Sequence, residues 1–352
     1  MTFTDLTLGY YLVDTSLGSL CSLDTTAPSV TIKEKNSDTT IEKKIVITGD
    51  EKVDSNSAGI GDTVNFSITI TVKDGAPKGY VLHDKLSGLT FDPNSLEVKV
   101  GTTTLTANTD YTLETNPADG DSFDVKFKDG KLKTNDVVVV TYSATVAANA
   151  TIAGAGNKNT AKLVYNEKDS TKEETTTYVW KLNVHKYALD STNHEVALSG
   201  AKFVLYRMDN GVKKYAKLTN KKIVGWVTDK DNATTLETSG TGDILIEGLN
   251  VGTYYLEETE APVGYNKLTE PIEVEITATT SVTSGSETVQ YKNSSETSYT
   301  PATDATVKVL NNAGTQLPST GGIGTTIFYV IGGVLMAVAA VLLVTKKRMN
   351  NK

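Results

Sequence analysis

Short runs rich in β-branched and aromatic residues dominate this sequence. The run at residues 64–72 alternates strictly between apolar and polar residues, and further runs lie at residues 96–100, 137–146, 203–206, 223–227, 254–256 and 272–276. Strict alternation predicts a half-buried strand, because successive side chains of a strand point to opposite faces, and the other short runs are also typical of strands. Turn-forming Gly, Asn and Asp residues separate the runs, and no run before the C-terminal region has the period of a soluble helix of ordinary length. The pattern therefore predicts an all-β fold made of β-sandwich domains.

The composition excludes several functional classes. The chain has 352 residues, with 42 Asp and Glu against 34 Lys and Arg, for a net charge of -8. An acidic chain lacks the basic face that binding to nucleic-acid phosphates requires. Its one cysteine, Cys21, excludes an internal disulfide framework and a Cys-rich zinc site. Only 3 His are present, and there is no P-loop, dinucleotide fingerprint or EF-hand spacing. We therefore expect no enzyme, no cofactor and no metal site.

The runs group into two domains, which we place at residues 31–172 and 173–313. The polar segment 166–172 is the predicted linker. Residues 1–30 lack the basic start and apolar stretch of a secretory signal peptide, and we interpret them as the remnant of a truncated N-terminal domain. Residues 314–352 form a separate C-terminal region.

Three features follow one another in that C-terminal region. Leu317, Pro318, Ser319, Thr320 and Gly321 form an LPxTG motif. An uncharged apolar run at 327–344 then predicts a helix long enough to cross a bilayer, and a cluster of Lys and Arg at 346–348 favours the cytoplasmic side for its end.

This order resembles the cell-wall sorting signal of Gram-positive surface proteins. The resemblance implies that a sortase cysteine attacks the carbonyl of Thr320, releases the chain from Gly321 onward, and passes the acyl group to an amine. The mature protein would be secreted and anchored to the cell wall, with the membrane helix serving only as a transient anchor.

The second domain carries a lysine in an unusual position. Lys186 shares a strand face with Leu182 and Val184, although burying an unpaired ammonium group is very costly. Further along, residues 254–265 read YYLEETEAPVGY. The domain resembles the CnaB-type domains of Gram-positive pilins, whose E-box has the form YxLxETxAPxGY.

In that family, a Lys and an Asn form a spontaneous isopeptide bond that a buried acid promotes. The resemblance implies Lys186 as the nucleophile, Asn311 as the acyl partner and Glu258 as the promoting acid. Burial favours the neutral forms of the amine and the acid, as this chemistry requires. Three residues remain alternatives, namely Asn312 for Asn311 and either Glu257 or Glu260 for Glu258.

The first domain has a parallel set of residues. Lys43 alternates with Ile41 and Ile45, Asn159 lies in a similar alternating run, and Asp84 lies between them in the chain. This arrangement resembles the middle domain of backbone pilins. It implies a second isopeptide bond, between Lys43 and Asn159 with Asp84 as the acid, and leaves Lys44 and Asn157 as alternatives in a shifted register.

One further lysine lies near the start of the first domain. Backbone pilins carry a motif similar to VYPKN there, and its lysine accepts the sortase-bound Thr of the next subunit. Lys35 matches the lysine of that motif, but Lys33 and Glu34 stand where the motif has Tyr and Pro. Lys35 is our candidate polymerisation lysine, with Lys33 or a lysine outside this sequence as alternatives.

These resemblances together predict the major (backbone) subunit of a Gram-positive pilus, with tandem immunoglobulin-like domains of the CnaA and CnaB types. The implied partners are a pilin-specific sortase, a housekeeping sortase, identical subunits joined head to tail, tip and basal pilins, and peptidoglycan. The sequence does not identify a host ligand. The alternative is a wall-anchored adhesin or an accessory (basal) pilin that does not polymerise through an internal lysine.

Overall fold

The computed structural model describes residues 2–13, 19–32, 38–49, 51–73, 78–165, 168–293 and 296–314, together with residues 336 and 346. Strands dominate these ranges, which confirms the predicted all-β fold, and one short 3-10 helix spans Lys230–Asn232. No helix within the described ranges is long and apolar enough to cross a membrane. Apart from Met336, the apolar run 327–344 lies outside the described residues.

An antiparallel hairpin forms the N-terminal part of the described chain. Its strands are β1 (Gly9–Val13) and β2 (Ser19–Leu23), which pair only with each other. Large apolar side chains on this hairpin, including Tyr10, Leu12 and Leu20, are mostly exposed.

The first complete domain is a sandwich of two sheets. Its strands are β3 (Thr40–Val46), β4 (Lys52–Val53), β5 (Ser55–Ser57), β6 (Thr63–Thr71), β7 (Val81–Leu86), β8 (Leu89–Val100), β9 (Thr103–Thr104), β10 (Tyr111–Thr115), β11 (Phe123–Phe127), β12 (Val137–Val146), β13 (Asn157–Tyr165), β14 (Lys168–Asp169) and β15 (Glu173–Tyr178). One sheet has the order β4-β3-β6-β12-β8-β9, and the other has the order β10-β11-β7-β13-β15-β5, with β14 beside β13. The apolar faces of both sheets share one core.

The second domain folds one continuous sheet around its own core. Its strands are β16 (Trp180–Leu189), β17 (Glu195–Ala197), β18 (Lys202–Asp209), β19 (Val212–Thr219), β20 (Lys222–Val227), β21 (Leu236–Glu237), β22 (Asp243–Leu249), β23 (Gly252–Glu260), β24 (Ile272–Thr280), β25 (Gly285–Lys292), β26 (Thr300–Pro301) and β27 (Thr306–Leu310). The order is β17-β16-β22-β20-β19-β18-β23-β24-β25-β26, with β21 beside β18 and β27 parallel to β16. The first and last strands of this domain are therefore neighbours.

Period-2 alternation predicted these strands well. The run predicted at 137–146 is strand β12, in which alternate residues from Val138 to Val146 are buried. The run predicted at 64–72 corresponds to β6, and the hairpin predicted around Gly101 is the antiparallel pair β8–β9. Gly101 adopts a φ of 55°, a conformation that residues other than glycine rarely adopt.

The domain boundary follows from the pairing of β15. This strand pairs with β13 and β5 of the first domain, so the first sheet continues past residue 172 to Tyr178. Val179 packs into the first core, whereas Tyr178 and Trp180 pack into the second, and all three side chains are fully buried. We therefore draw the boundary at Val179 instead of between residues 172 and 173.

Hydrogen bonds join the two domains at this boundary. The Trp180 indole N–H donates to Ser57 Oγ at 2.9 Å, and the Asn250 side chain donates to Asp62 Oδ2 at 3.1 Å. The backbone N–H of Ile60 donates to the carbonyl of Gly248 at 3.0 Å. A Cβ on Gly248, whose φ is 95°, would lie 2.8 Å from Ile60, so the close approach of the domains requires glycine there.

Candidate functional site

Two buried clusters of polar residues occupy the cores of the two domains. The second-domain cluster consists of Lys186 on β16, Glu258 on β23 and Asn311 just after β27. None of the three residues is more than 1% exposed. Each has the same strand parity as its apolar neighbours, which is why three polar side chains point into an apolar core.

The three side chains of this second-domain cluster contact one another directly. Lys186 Nζ donates a hydrogen bond to Asn311 Oδ1 and lies 3.2 Å from Glu258 Oε1. Asn311 Nδ2 donates to the same Glu258 oxygen at 3.2 Å. The other oxygen, Oε2, accepts from the backbone N–H of Leu268 at 2.7 Å, which fixes the orientation of the carboxyl group. The amine, the amide and the acid are thus held in mutual contact.

The surroundings of Lys186 favour its neutral form. Its Nζ lies 5.5 Å from the ring centroid of Phe203, and the rest of the pocket is apolar core. Burial lowers the pKa of Lys186 to about 8, against the opposing attraction of Glu258. With this pKa, about a tenth of Lys186 is uncharged at pH 7, and the uncharged amine is the nucleophilic form.

The alternatives considered for this cluster lie elsewhere. Asn312 is exposed. The Glu257 carboxylate accepts from Lys230 at 2.6 Å, and that of Glu260 accepts from Lys202 at 2.8 Å, so both acids pair with lysines away from Lys186. Strand alternation explains Asn312 and Glu257, because the immediate neighbours of an inward-facing residue face outward. Glu260 shares the parity of Glu258, but it is the last residue of β23, opposite a register shift between Lys202 and Phe203, and it is exposed.

The first-domain cluster consists of Lys43 on β3, Asp84 on β7 and Asn159 on β13. All three are fully buried. Strand β3 belongs to one sheet of the sandwich, and β7 and β13 belong to the other. Lys43 Nζ donates a hydrogen bond to Asp84 Oδ2, so the lysine and the acid bridge the two sheets.

A fourth residue, Tyr142 on β12, completes the first-domain cluster. Its hydroxyl group lies 2.6 Å from Lys43 Nζ, donates to Asp84 Oδ2 at 2.9 Å, and accepts from Asn159 Nδ2 at 2.8 Å. Neither strand alternation nor the family resemblance singled out this residue. A signal was present, because Tyr142 alternates with Val140 and Ala144 on the buried face of β12, where a hydroxyl group needs a polar partner.

Two acceptors of this first-domain cluster have no hydrogen-bond partner among the described residues: Asp84 Oδ1 and Asn159 Oδ1. Burial raises the pKa of Asp84 and lowers that of Lys43, and in each case the attraction between the two groups opposes the effect. Burial and the nearby Asp84 charge also hold the pKa of Tyr142 well above its usual value. The cluster therefore favours a neutral amine, a neutral acid and an intact phenol.

The register alternatives for the first domain also occupy other positions. Lys44 faces outward and pairs with Asp54 at 2.7 Å. Asn157 is buried, but its side chain bonds to the backbone of Thr151 and Thr177 instead of a lysine.

Both sortase-related sites lie outside the described residues. These are the candidate polymerisation lysine Lys35 with its alternative Lys33, and the motif from Leu317 to Gly321. The described residues nearest to them in the chain are Ile32, before the first domain, and Gly314, after the second.

Comparison with protein families gives two matches. Residues 181–293 match the SpaA family, described as a prealbumin-like fold domain, and residues 310–351 match the LPXTG cell wall anchor motif. A comparison with curated proteins gives no match. The anchor motif implies processing by a sortase and attachment to the cell wall, in agreement with the predicted location at the cell surface.

Solved structures share the fold over most of the chain. The backbone protein of group B streptococcus pilus 2b is 25% identical, with a TM-score of 0.59, and the match covers 79% of this chain and 99% of that chain. The full-length major pilin RrgB from Streptococcus pneumoniae is 18% identical, with a TM-score of 0.59 and coverages of 85% and 79%. The major pilin SpaA of Corynebacterium diphtheriae is 16% identical, with a TM-score of 0.54 and coverages of 88% and 81%.

These matches agree with the two-domain fold and with a structural rather than an enzymatic protein, since the matched structures are pilus backbone subunits. The protein therefore combines a SpaA prealbumin-like domain and an LPXTG cell-wall anchor with the fold of the Gram-positive major pilins.

Proposed function

We propose that this protein is the shaft subunit of a sortase-assembled pilus and that each of its two domains is locked by an intramolecular Lys–Asn isopeptide bond. The observation that carries the proposal is the repetition of one chemical arrangement. In each domain a fully buried lysine contacts a buried acid, beside a buried asparagine. A lone buried lysine is costly, and two such groupings in one chain are best explained by a shared reaction.

The proposed reaction exchanges one amide for another. In the second domain, Lys186 Nζ attacks Asn311 Cγ. Glu258, whose Oε1 lies 3.2 Å from both Lys186 Nζ and Asn311 Nδ2, relays a proton from the attacking amine to the departing nitrogen. The Cγ–Nδ2 bond breaks, ammonia leaves, and a Lys–Asn amide remains. The folded core holds the reactants in contact, so no external catalyst is needed.

The first domain would use Lys43, Asn159 and Asp84 in the same roles. Tyr142 would act as a positioning residue, since its hydroxyl group contacts all three side chains. Its support for the Asn159 amide would orient the acyl carbon toward Lys43.

Such bonds suit a protein that bears tension. In the second domain, Lys186 lies on the first strand, β16, and Asn311 directly follows the last strand, β27, which pairs with β16 in parallel. The bond would therefore join the two ends of the domain. Pulling on the ends of the domain would then load a covalent bond before the strands separate. The bonds would also supply the covalent reinforcement that a chain with one cysteine cannot obtain from internal disulfides.

Intact mass spectrometry tests the two internal bonds. Each bond releases one ammonia, so the chain should weigh about 34 Da less than its sequence mass, or about 17 Da less per bond. Tandem mass spectrometry should find Lys186 linked to Asn311 and Lys43 linked to Asn159. A mass equal to that of the sequence would contradict the proposal for both domains.

Assembly of the shaft would join Thr320 of one subunit to Lys35 of the next through a pilin-specific sortase, and a housekeeping sortase would transfer the last subunit to peptidoglycan. The anchor motif and the pilin fold support this part of the proposal.

Co-expression with a pilin sortase tests the assembly separately. The unaltered chain should form a ladder of covalent oligomers that Lys35→Ala abolishes, and Lys33→Ala serves as the matched control. A ladder lost only in Lys33→Ala would move the acceptor to that residue. Monomers alone from the unaltered chain would favour the accessory pilin or adhesin and contradict a shaft subunit.

A further inference from the structure

A second group of ionisable side chains lies on the outer face of the first domain. It consists of His83 on β7, Asp124 on β11, and Asp119 and Asp121 on the loop that joins β10 to β11. One ligand atom from each of the four residues lies within 4.8 Å of the others. His83 and Asp124 are cross-strand partners, so the pairing of β7 with β11 brings them together. We refer to these four residues as the His83 cluster.

The distances in the His83 cluster match the edges of a metal coordination shell. His83 Nδ1 lies 2.9 Å from Asp124 Oδ1, 3.2 Å from Asp121 Oδ2 and 3.4 Å from Asp119 Oδ2. Ligands that bind Zn²⁺ at about 2.0–2.2 Å are separated from one another by about 3.0–3.5 Å in octahedral or tetrahedral geometry. All four ligand atoms lie within 4.8 Å of one another, so small adjustments of the side chains would let one ion contact all of them.

An unsatisfied buried carboxylate provides independent support. The Asp124 side chain is only 2% exposed, and its Oδ1 has no hydrogen-bond partner among the described residues. His83 Nδ1 also lacks one, although the two atoms are only 2.9 Å apart. A cation bound by both atoms would satisfy these two buried polar groups, which are otherwise costly to bury.

The neighbouring lysine does not satisfy Asp124. Lys126 Nζ is 3.9 Å from Asp124 Oδ2, on the other side of the carboxylate from His83, and it hydrogen-bonds to Glu114 instead. The three carboxylates of the His83 cluster thus face one imidazole, which leaves a negative site for a cation.

We propose that the His83 cluster binds one divalent cation of the first transition series, Zn²⁺ or Mn²⁺, through one imidazole and three carboxylates. Neutral imidazole is a common ligand for such ions, whereas Ca²⁺ and Mg²⁺ select oxygen ligands only. Asp119 is exposed and Asp121 partly so, and the ion would enter from their side. Asp124 would supply the buried ligand at the base of the site.

The bound ion would link the β10–β11 loop to β7, next to the first-domain cluster. Asp84 follows His83 in the chain and points to the opposite face of the sheet, into the core. The backbone N–H of Ser122, between Asp121 and Asp124, donates to the carbonyl oxygen of Asp84 at 2.7 Å. Cross-linking the loop to β7 through a metal would therefore stiffen the strand that carries the promoting acid.

Calorimetric titration of the full metal-free chain with Zn²⁺, Mn²⁺ and Ca²⁺ tests the proposal. We expect one Zn²⁺ or Mn²⁺ per chain and at least tenfold weaker binding of that ion in His83→Gln and in Asp121→Asn. His194→Gln removes an exposed histidine elsewhere, and Glu114→Gln removes a nearby acid outside the His83 cluster, so both should bind as the unaltered chain does. The ion should also raise the melting temperature of the first domain in the unaltered chain but not in His83→Gln.

Three results would overturn the assignment. One is the lack of stoichiometric binding of Zn²⁺ and Mn²⁺ to a folded chain with normal circular dichroism. Another is equal affinity in the unaltered chain and His83→Gln. The third is Ca²⁺ binding that is tighter than the binding of Zn²⁺ and Mn²⁺ and does not depend on His83. That result would reassign the site to an ion that takes only oxygen ligands.

Discussion

The two buried clusters contain the same types of residue but connect them differently. In the second domain, Lys186, Glu258 and Asn311 touch one another without an intermediary. In the first domain, the hydroxyl group of Tyr142 stands between Lys43 and Asn159 and contacts both. The second cluster is complete with three residues, whereas the first needs four.

The topology of each domain explains the difference. Lys186 and Asn311 lie on adjacent parallel chain segments, so a lysine and an asparagine in neighbouring positions meet directly. Lys43 and Asn159 come from opposite sheets, which pack about 10 Å apart. A side chain that reaches in from β12 fills the remaining space and supplies polar contacts. The same chemistry can thus be built within one sheet or across two, at the cost of one further buried polar residue.

Loss of the asparagine from each cluster should have the largest effect. Asn311→Ala and Asn159→Ala each remove one bond, so the mass deficit should fall from about 34 to about 17 Da. The Lys186–Asn311 bond closes a loop of 125 residues, and its loss should lower the free energy of unfolding by about 4–5 kcal/mol. The first-domain bond spans a loop of similar length and should contribute about as much.

Urea denaturation measures these losses separately. Both tryptophans, Trp180 and Trp226, belong to the second domain, so their fluorescence reports its unfolding, and circular dichroism reports both domains. Asn312→Ala is the matched control for Asn311→Ala. An unchanged mass in Asn311→Ala would show that another residue is the acyl partner.

The rate of bond formation in the second domain should depend strongly on pH. With a pKa of about 8, Lys186 is protonated and unreactive below that pH and neutral above it. The rate should therefore rise roughly tenfold per pH unit up to about pH 8 and then level off.

Refolding provides the measurement of this rate. Chain isolated unfolded from inclusion bodies, and therefore not yet cross-linked, is refolded at a series of pH values and followed by intact mass. A rate that does not change between about pH 6 and 8 would contradict attack by a neutral amine with this pKa.

Tyr142→Phe should separate the two clusters. It removes one buried hydroxyl group, lowers the stability of the first domain by about 1–2 kcal/mol, and slows the bond between Lys43 and Asn159. The Lys186–Asn311 bond should form at its normal rate, since Tyr142 lies in the other domain. Peptide mapping after refolding follows both bonds in one sample, and equal rates for the first-domain bond in Tyr142→Phe and the unaltered chain would reduce Tyr142 to a packing residue.

The smallest effects are expected at the neighbours of the cluster residues. Lys44→Gln and Glu257→Gln each remove one partner of a partly exposed ion pair, which contributes about 1 kcal/mol or less. Both variants should keep the full mass deficit of about 34 Da. A deficit of only about 17 Da would identify Lys44 as the nucleophile in the first variant, and Glu257 as the promoting acid in the second.

The sequence predicted most of the fold and most of the two clusters. Strict alternation assigned β6, because a half-buried strand repeats every two residues, and a β-branched run assigned β12. Alternation also marked Lys186 and Lys43 as inward-facing. The E-box resemblance directed attention to the acidic stretch of β23, where strand parity distinguishes Glu258 from Glu257 but not from Glu260.

Other features could not be predicted from local patterns. The assignment of residues 173–178 to the first domain depends on the pairing of β15 with β13 and β5, which the local pattern does not reveal. Likewise, His83 and Asp124 are distant in the chain, and the pairing of β7 with β11 makes them neighbours. The expectation that the chain has no metal site was based on its single cysteine, its three histidines and the lack of EF-hand spacing, none of which reports the residues that meet in space.

The sequence by itself determined the all-β class, the inward-facing lysines and the sorting motif, because each depends on residues that are close together in the chain. The tertiary structure decided which buried groups meet. Asp84, which contacts Lys43, lies 41 positions after it in the chain. Tyr142 contacts both from a third strand, 58 positions after Asp84. Strand periodicity specifies the face on which a side chain lies, whereas its partners across the core depend on the order and register of distant strands.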